Sequence, residues 1–315
     1  PVVVMYSASE DMTMREWYPF IVRPTWTGAQ PMDVFGYWLA KELGYKKIYM
    51  IGEDYSYPYN QIGGFKRGFF RGGGEEVTTV WHPVPQGDFS SLIATIPLDQ
   101  GYDAVLYNGA GSDAIAFVKQ WVELGMHDQI PLLGQSNTFE RPDLESMPKE
   151  IVGSYSAHLV ADNLATPEWI EFRDKFVERW GHLPSAASEF AYVSMKMILR
   201  AIDLLDGDVS DKMAFVEAMR QVDMSDAPRS PLYLDDYNAA VQNVYIRQVS
   251  LDENGELYNK GIYRVEEVSQ FGPYNPEIYM SYPEDVGNYP PDTRAQMPAD
   301  LLQVEKDYEF IPFEQ

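Results

Sequence analysis

The sequence predicts an α/β protein built on a doubly wound, mostly parallel sheet. From Lys46 to His158, short apolar runs of strand length alternate with stretches of helical periodicity, about five strands in all. Glycines and polar turns punctuate the junctions. The longest apolar pieces, such as 2–5 and 48–51, are strand-sized, well short of the roughly 18 residues a membrane helix needs.

The elements follow in order. Residues 2–6 (Val-Val-Val-Met-Tyr) form a buried strand that runs into the polar turn Ser7-Ala8-Ser9-Glu10-Asp11. A helix covers 32–43, with Val34, Phe35, Trp38, Leu39 and Leu43 on one side and Gly44 as its stop. The strand 48–51 leads into a polar, aromatic loop through Asn60, and a helix runs from Gln61 through Gly63, Gly64 and Phe65 to Phe70. A strand at 77–81 precedes a short helix opened by Asp88 as N-cap. Strand 104–107, helix 114–124, strand 130–134 and strand 151–160 complete one lobe. The pattern then changes to three amphipathic helices at 167–180, 188–205 and 211–222. After Pro228 it becomes β-rich, with strands at 231–234, 243–251 and 261–268 and a hairpin turn at Asp252-Glu253-Asn254-Gly255. From Phe271 the chain is rich in Tyr and Pro and reads as an irregular tail over the surface.

At 315 residues, 45% hydrophobic and 14% aromatic, the chain can fill one large core or two ordinary ones. Its net charge of −24 repels phosphate backbones and argues against nucleic acid as a partner. The absence of cysteine removes disulfides, iron–sulfur clusters and thiol catalysis. Such an acidic surface suits solubility in an external medium.

The chemistry in the loops is that of binding. Tyr55, Tyr57 and Tyr59, with Asp54 and Asn60, follow the carboxyl end of a strand, where ligands sit in such sheets. Tyrosine offers an apolar face and one hydrogen bond, which suits small organic ligands. Gly109-Ala110-Gly111 lies between a strand and a helix, as a tight turn or as a loop whose N–H groups approach a ligand; it lacks the third glycine of a dinucleotide fingerprint. Ser7 and Ser9 offer hydroxyls that either hold a ligand or close a local turn. His82, His127, His158 and His182 show no metal spacing and read as structural, and no nucleophile elbow occurs. No catalytic residue, metal site or cofactor is expected.

In this order, several segments resemble the substrate-binding proteins of branched-chain amino-acid-type ABC transporters, the type I periplasmic binding proteins. They are Pro1–Ser9, Tyr18-Pro-Phe-Ile-Val-Arg-Pro-Thr25, Asp54-Tyr-Ser-Tyr57 with Pro58 in place of a glycine, Asp88-Phe-Ser90, Tyr102-Asp-Ala-Val105 and Pro184–Tyr192. The likeness runs from Pro1 to about Val268. It implies two doubly wound, Rossmann-like lobes with a ligand cleft between them. Lobe 1 would comprise 1–28 and 163–230, and lobe 2 would comprise 29–162 and 231–268, followed by the tail 269–315. Hinges would fall at 25–31, 159–166 and 227–232.

The resemblance implies ligand contacts at Ser7, Ala8, Ser9 and Ser188 in lobe 1, and at Tyr57, the turn Gly109-Ala110-Gly111, Gln135 and Ser136 in lobe 2. Amino-acid binders of this type carry an acidic residue after the strand that ends at Gly134; here the stretch is Gln135-Ser136-Asn137. That departure favours amides, carboxylates or aromatic acids over α-amino acids, because a buried ammonium needs a partner. The implied function is solute capture for ABC-transporter uptake outside the cytoplasm, in the periplasm or anchored by lipid, with a membrane permease as partner. About 100 further residues are expected ahead of Pro1, as an N-terminal segment or a second chain completing lobe 1. A ligand sensor of the same fold, a structural or assembly role, and a hydrolase are the alternatives.

Overall fold

The computed structural model describes residues 1–229, 231–286 and 289–313. Strands β1 (Val2–Val3) and β2 (Ile21–Val22) pair in parallel. The expected strand to Tyr6 is cut short because its partner is only two residues long, and the ladder closes with the Val4 N–H on the Val22 carbonyl at 2.8 Å. Helix α1 (Ala29–Glu42) follows, then β3 (Lys47–Glu53), α2 (Ser56–Arg71), β4 (Glu76–His82), the short α3 (Ser90–Ala94), β5 (Ala104–Asn108), α4 (Gly111–Glu123), β6 (Leu132–Gly134), α5 (Arg141–Leu144) and β7 (Tyr155–His158).

Helix α2 starts five residues earlier than the periodicity predicts. Pro58 lies in its first turn, where the N–H it lacks would be unpaired in any case. The tyrosine-rich loop is therefore largely the opening of a helix. The strand expected over 151–160 shrinks to β7, because Gly153 adopts a positive φ of 98° and the preceding residues turn.

Strands β4, β3, β5, β6 and β7 lie side by side in parallel. Alternate residues feed two cores, as a doubly covered sheet requires. Ile48, Met50, Ala104 and Leu106 pack under α1 and α2, and Tyr49, Ile51, Val105 and Tyr107 pack with Phe117 and Trp121 of α4. Helices α6 (Pro167–Trp180), α7 (Ala186–Leu204) and α8 (Lys212–Gln221) come next, where the amphipathic patterns place them. Strands β8 (Leu232–Leu234), β9 (Ala240–Leu251) and β10 (Leu257–Val268) then join the sheet antiparallel beyond β7.

Leu232 and Ala240 pack with Val22 and the apolar faces of α7 and α8. The Arg23 N–H binds the Asn238 carbonyl at 2.8 Å, and the Ala240 N–H binds the Arg23 carbonyl at 3.0 Å. By packing, the stretch through Ala240 goes with β1, β2 and these helices, although β8 also pairs with β9.

The tail is irregular but is part of the core. It carries α9 (Pro276–Ser281), crosses α1 and α2, bridges the β4 edge through Thr293 and returns as β11 (Ile311–Pro312) beside β10. Phe271, Tyr274, Tyr279, Met297 and Leu301 are buried along the way. Arg71 reaches up into it between Asp33 at 3.0 Å and Asp307 at 2.7 Å, with the rings of Tyr37, Tyr274 and Tyr308 around its guanidinium.

Helices α1 and α2 approach backbone to backbone. An added Cβ at Gly36 would strike the Phe65 carbonyl, one at Gly64 would strike Ala29, and one at Gly68 would overlap the Asp33 carbonyl oxygen. Gly68→Ala is therefore expected to destabilise the fold by about 1–3 kcal/mol or more, whereas Gly44→Ala, at an open site with φ of +72°, strains only a helix end. Urea midpoints of the two variants check the contrast.

Candidate functional site

The loop after β1, the carboxyl ends of β5, β6 and β7, and the start of α7 converge on a cluster of rings. Trp26 is its centre. Its indole lies nearly parallel to the His158 imidazole, with centroids 5.3 Å apart, and close to Tyr57 at 5.8 Å, Phe190 at 5.7 Å and Tyr6 at 6.2 Å. Its Nε1–H donates to the Tyr6 carbonyl at 3.0 Å. Tyr6 comes from the loop after β1 and Phe190 from α7, while Tyr57 comes from the first turn of α2 and His158 from the end of β7, so the cluster ties these four segments together.

A polar network lines one wall. The Tyr57 hydroxyl donates to Gln135 Oε1 at 2.9 Å, and the Gln135 amide nitrogen donates to the Gly109 carbonyl at 2.9 Å. Asn137 donates its backbone N–H to Gln135 Oε1 at 2.7 Å and its side-chain amide to the Tyr6 hydroxyl at 3.1 Å. His158 Nδ1 accepts from the Leu159 N–H at 2.8 Å, so Nε2 carries the proton and donates to Asn137 Oδ1 at 3.1 Å. Burial, then the charges of Arg247 and Arg229, hold this imidazole well below its ordinary pKa, so it is neutral.

Two buried charges stand beside the rings. Arg229 pairs with Glu189 at 2.6 Å, donates to the Pro24 carbonyl at 2.7 Å and lies over the Phe190 ring. Glu140 accepts the Ala186 N–H at the start of α7 at 3.0 Å, while its other oxygen is buried without a hydrogen bond among the described residues, 3.9 Å from His158 Nε2. Burial raises the Glu140 carboxyl above its ordinary range.

Of the residues proposed from the sequence, Tyr57, Gln135 and Gly109 are directly connected. Ser136 is buried beside them, its carbonyl bound by Arg247 at 2.7 Å and its hydroxyl unpartnered among the described residues. Ala110 donates its N–H to Glu53 at 3.2 Å, and Gly111 opens α4 with φ of +59°. Ser7 is exposed, the Ala8 carbonyl accepts the Gly28 N–H at 2.9 Å, and the Ser9 carbonyl accepts Arg23 at 2.6 Å. Ser188 belongs to the α7 cap, its N–H on Ser185 Oγ at 3.2 Å. Tyr6, Trp26, Asn137, Glu140, His158 and Phe190 escaped sequence reasoning. Tyr6 and Asn137 were the readable ones, since each immediately adjoins a residue already singled out.

The sequence profile described as "Periplasmic binding protein" matches residues 1–256. The chain belongs to the periplasmic binding protein family. A Leu/Ile/Val-binding protein homolog from Brucella melitensis is 27% identical over 267 residues, which span 83% of this chain and 67% of the relative. An ABC transporter substrate-binding protein from Sphaerobacter thermophilus superposes with a TM-score of 0.80 at 24% identity, over 85% of this chain and 73% of that one, and so shares the fold. An ABC-transporter solute-binding protein from Rhodopseudomonas palustris BisB5, solved with 3,4-dihydroxy benzoic acid, superposes at 0.77 with 27% identity, over 85% and 72%. This is a family of two-lobed transport receptors that work outside the cytoplasm with membrane components, rather than a family of enzymes. Among the described residues, no helix of the chain is long and apolar enough to cross a membrane.

The neutral His158 gives a pH test. Its folded pKa lies below the unfolded value of about 6.5, so the folded state binds fewer protons, and stability is lost as pH falls through that range. The loss between pH 7.5 and pH 5 is expected to be smaller in His158→Gln than in the wild type by about 1–2 kcal/mol, read from urea midpoints at both pH values.

Proposed function

We propose that this chain captures a small organic acid bearing an aromatic ring between two lobes and presents it to an ABC-transporter permease. The observation that supports the reading is the ring cluster of Tyr6, Trp26, Tyr57, His158 and Phe190, drawn from both of the proposed lobes. Flat apolar faces with a few fixed polar groups suit a small aromatic ligand, and the Rhodopseudomonas protein, 27% identical, was solved with 3,4-dihydroxy benzoic acid.

In this reading lobe 1 comprises 1–25 and 163–240, and lobe 2 comprises 26–162 and 241–268, with the tail bound to lobe 2. Tyr57, Gln135, Ser136 and the turn Gly109-Ala110-Gly111 contact the ligand from lobe 2, and the loop Ser7-Ala8-Ser9 and Ser188 from lobe 1. Ligand contacts on both sides favour the closed form, the state a permease would recognise. The protein is non-catalytic and works in the periplasm or tethered to a membrane by a lipid. The open edge of β1, where Val2 is exposed, suits cover by a further segment or a second chain.

Glu140 supports a second reading. It stands three residues beyond the stretch where amino-acid binders of this kind carry an acidic residue, and its unpartnered oxygen is suited to a ligand ammonium.

Calorimetry and thermal shift with 4-hydroxybenzoate and with leucine separate the two. The first reading expects 4-hydroxybenzoate to bind, adding about 2.7 kcal/mol of stability at a hundredfold excess over Kd. It expects Trp26→Ala to weaken binding at least tenfold and Glu140→Gln to leave it unchanged. Leucine binding lost in Glu140→Gln would establish the second reading. Binding of neither sinks ligand capture of both kinds.

A further inference from the structure

The loop after β1 does not simply lead away from the ring cluster; it is pinned to α2 by the C-terminal tail. Glu10 donates its backbone N–H to Asn60 of α2 at 3.2 Å, and its carboxylate lies 3.7 Å from Arg67 of α2 and accepts the Tyr279 hydroxyl of α9 at 2.8 Å. Arg67 is gripped by Asp285 of the tail, with contacts of 2.6 and 2.8 Å to the two oxygens, and also bonds Tyr279. Arg15, at the far end of the loop, donates to the carbonyls of Tyr282 at 2.8 Å and Tyr279 at 3.1 Å. Helix α2 is shaped for this: a Cβ at Gly63 would fall on the Asp285 carboxylate. Glu10, Arg67, Tyr279 and Asp285 are all buried.

We propose that the C-terminal tail is a proton-dependent latch, in which Tyr279 and Asp285 hold the Glu10 loop on α2 and ionisation of Glu10 releases it. The charge count gives the reason. Two buried carboxyls share one guanidinium at contact distance, and Glu10 Oε2 is enclosed without a hydrogen bond among the described residues, a place for a proton rather than for a charge. The groups facing Glu10 are Arg67 and Asn60 from α2, Tyr279 from α9, Asp285 from the tail and Arg15 from its own loop, with Arg23 adding positive charge from beyond β2. Burial, then the charge of Asp285, push the Glu10 carboxyl up to about 8, with Arg67 opposing. A carboxyl raised in the folded state keeps its proton where the unfolded chain has lost it. The latch's contribution is therefore complete in acid and declines as pH rises to about 8 and beyond.

The latch stands apart from any ligand. Only its consequence, that a proton tunes how freely lobe 1 moves, rests on the two-lobed reading. Hydrogen exchange of the full chain without ligand tests it at the amides of Glu10, Met14 and Glu16, which are hydrogen-bonded within the loop or to α2, with α4 amides as the control. After correction for intrinsic pH dependence, loop exchange is expected to quicken at least fivefold between pH 7 and pH 9 in the wild type and to stay flat in Glu10→Gln. At pH 7, Tyr279→Phe is expected to quicken it severalfold and Asp285→Ala at least tenfold, with α4 unchanged. Equal loop protection in wild type, Tyr279→Phe and Asp285→Ala would overturn the latch, as would the same pH response in Glu10→Gln as in the wild type. If Asp285→Ala loosens α4 as well, Tyr279→Phe and the Glu10→Gln pH series decide alone.

Discussion

At Gly36, Gly64 and Gly68 the backbones of α1 and α2 meet with no side chain between them. This contact locates the pieces that matter. It presses both helices onto one face of the parallel sheet, so that Ile48, Met50, Ala104 and Leu106 are sealed beneath them. It also fixes the axis of α2, whose first turn carries Tyr57 to Gln135 and whose later turns carry Lys66, Arg67 and Arg71 up to the tail. A helix pair held apart by ordinary side chains would move Tyr57 and the three cations outward together. The glycines are costly in chain entropy, and the close approach they permit is what offsets that cost.

The cations above α2 are nearly dry, and each would destabilise the fold if left alone. Lys66 reaches Asp292 at 2.7 Å and the Pro290 carbonyl at 3.0 Å. Arg71 has Asp33, Asp307 and three tyrosine rings, and Arg67 has Asp285, Tyr279 and Glu10. All three thus depend on residues beyond 270, so the tail completes the helix layer's electrostatics as well as its apolar packing. The same logic holds at the ring cluster, where Arg229 is paired with Glu189 and the Pro24 carbonyl, and Arg247 with the Ser136 carbonyl and the Ser156 hydroxyl. There burial, and after it the fixed positive charge of the two arginines, keeps His158 neutral, with its face stacked on Trp26.

Much of the fold was legible because its elements are locally consistent: α6 falls on 167–180 as the pattern says, and the parallel strands fall where the apolar runs are. The failures have local causes. Pro58 looked like a loop residue because its place in the first turn of α2 depends on where the helix begins, which Tyr55 sets without any side-chain cap. The tail looked superficial because its buried groups, Tyr274, Tyr279 and Asp285, show no period; they are spaced by the sites they plug into. At the candidate site, Tyr57 was readable from its position after a strand end, and Gln135 only through the family resemblance. Trp26 and His158 were not, because a lone aromatic in a connecting segment and a lone histidine in a buried strand gain meaning only when the fold stacks them.

The ring cluster and the tail are two ends of one lever. Asn60 lies on α2 between Tyr57 and Arg67. Its side-chain oxygen accepts from the Glu10 backbone at 3.2 Å and its nitrogen donates to the Asp285 carbonyl at 3.4 Å, so it touches the loop and the tail at once. The loop it holds begins beside Tyr6, whose carbonyl binds Trp26 and whose hydroxyl binds Asn137. A shift of Tyr6 against Trp26 thus pulls on a loop whose other end is anchored within one and a half turns of Tyr57. Buried hydrogen-bonded networks of this kind adopt discrete arrangements rather than stretching. The Glu10 loop and the rings are thus linked by a continuous chain of buried contacts, through groups that a single helix holds in register.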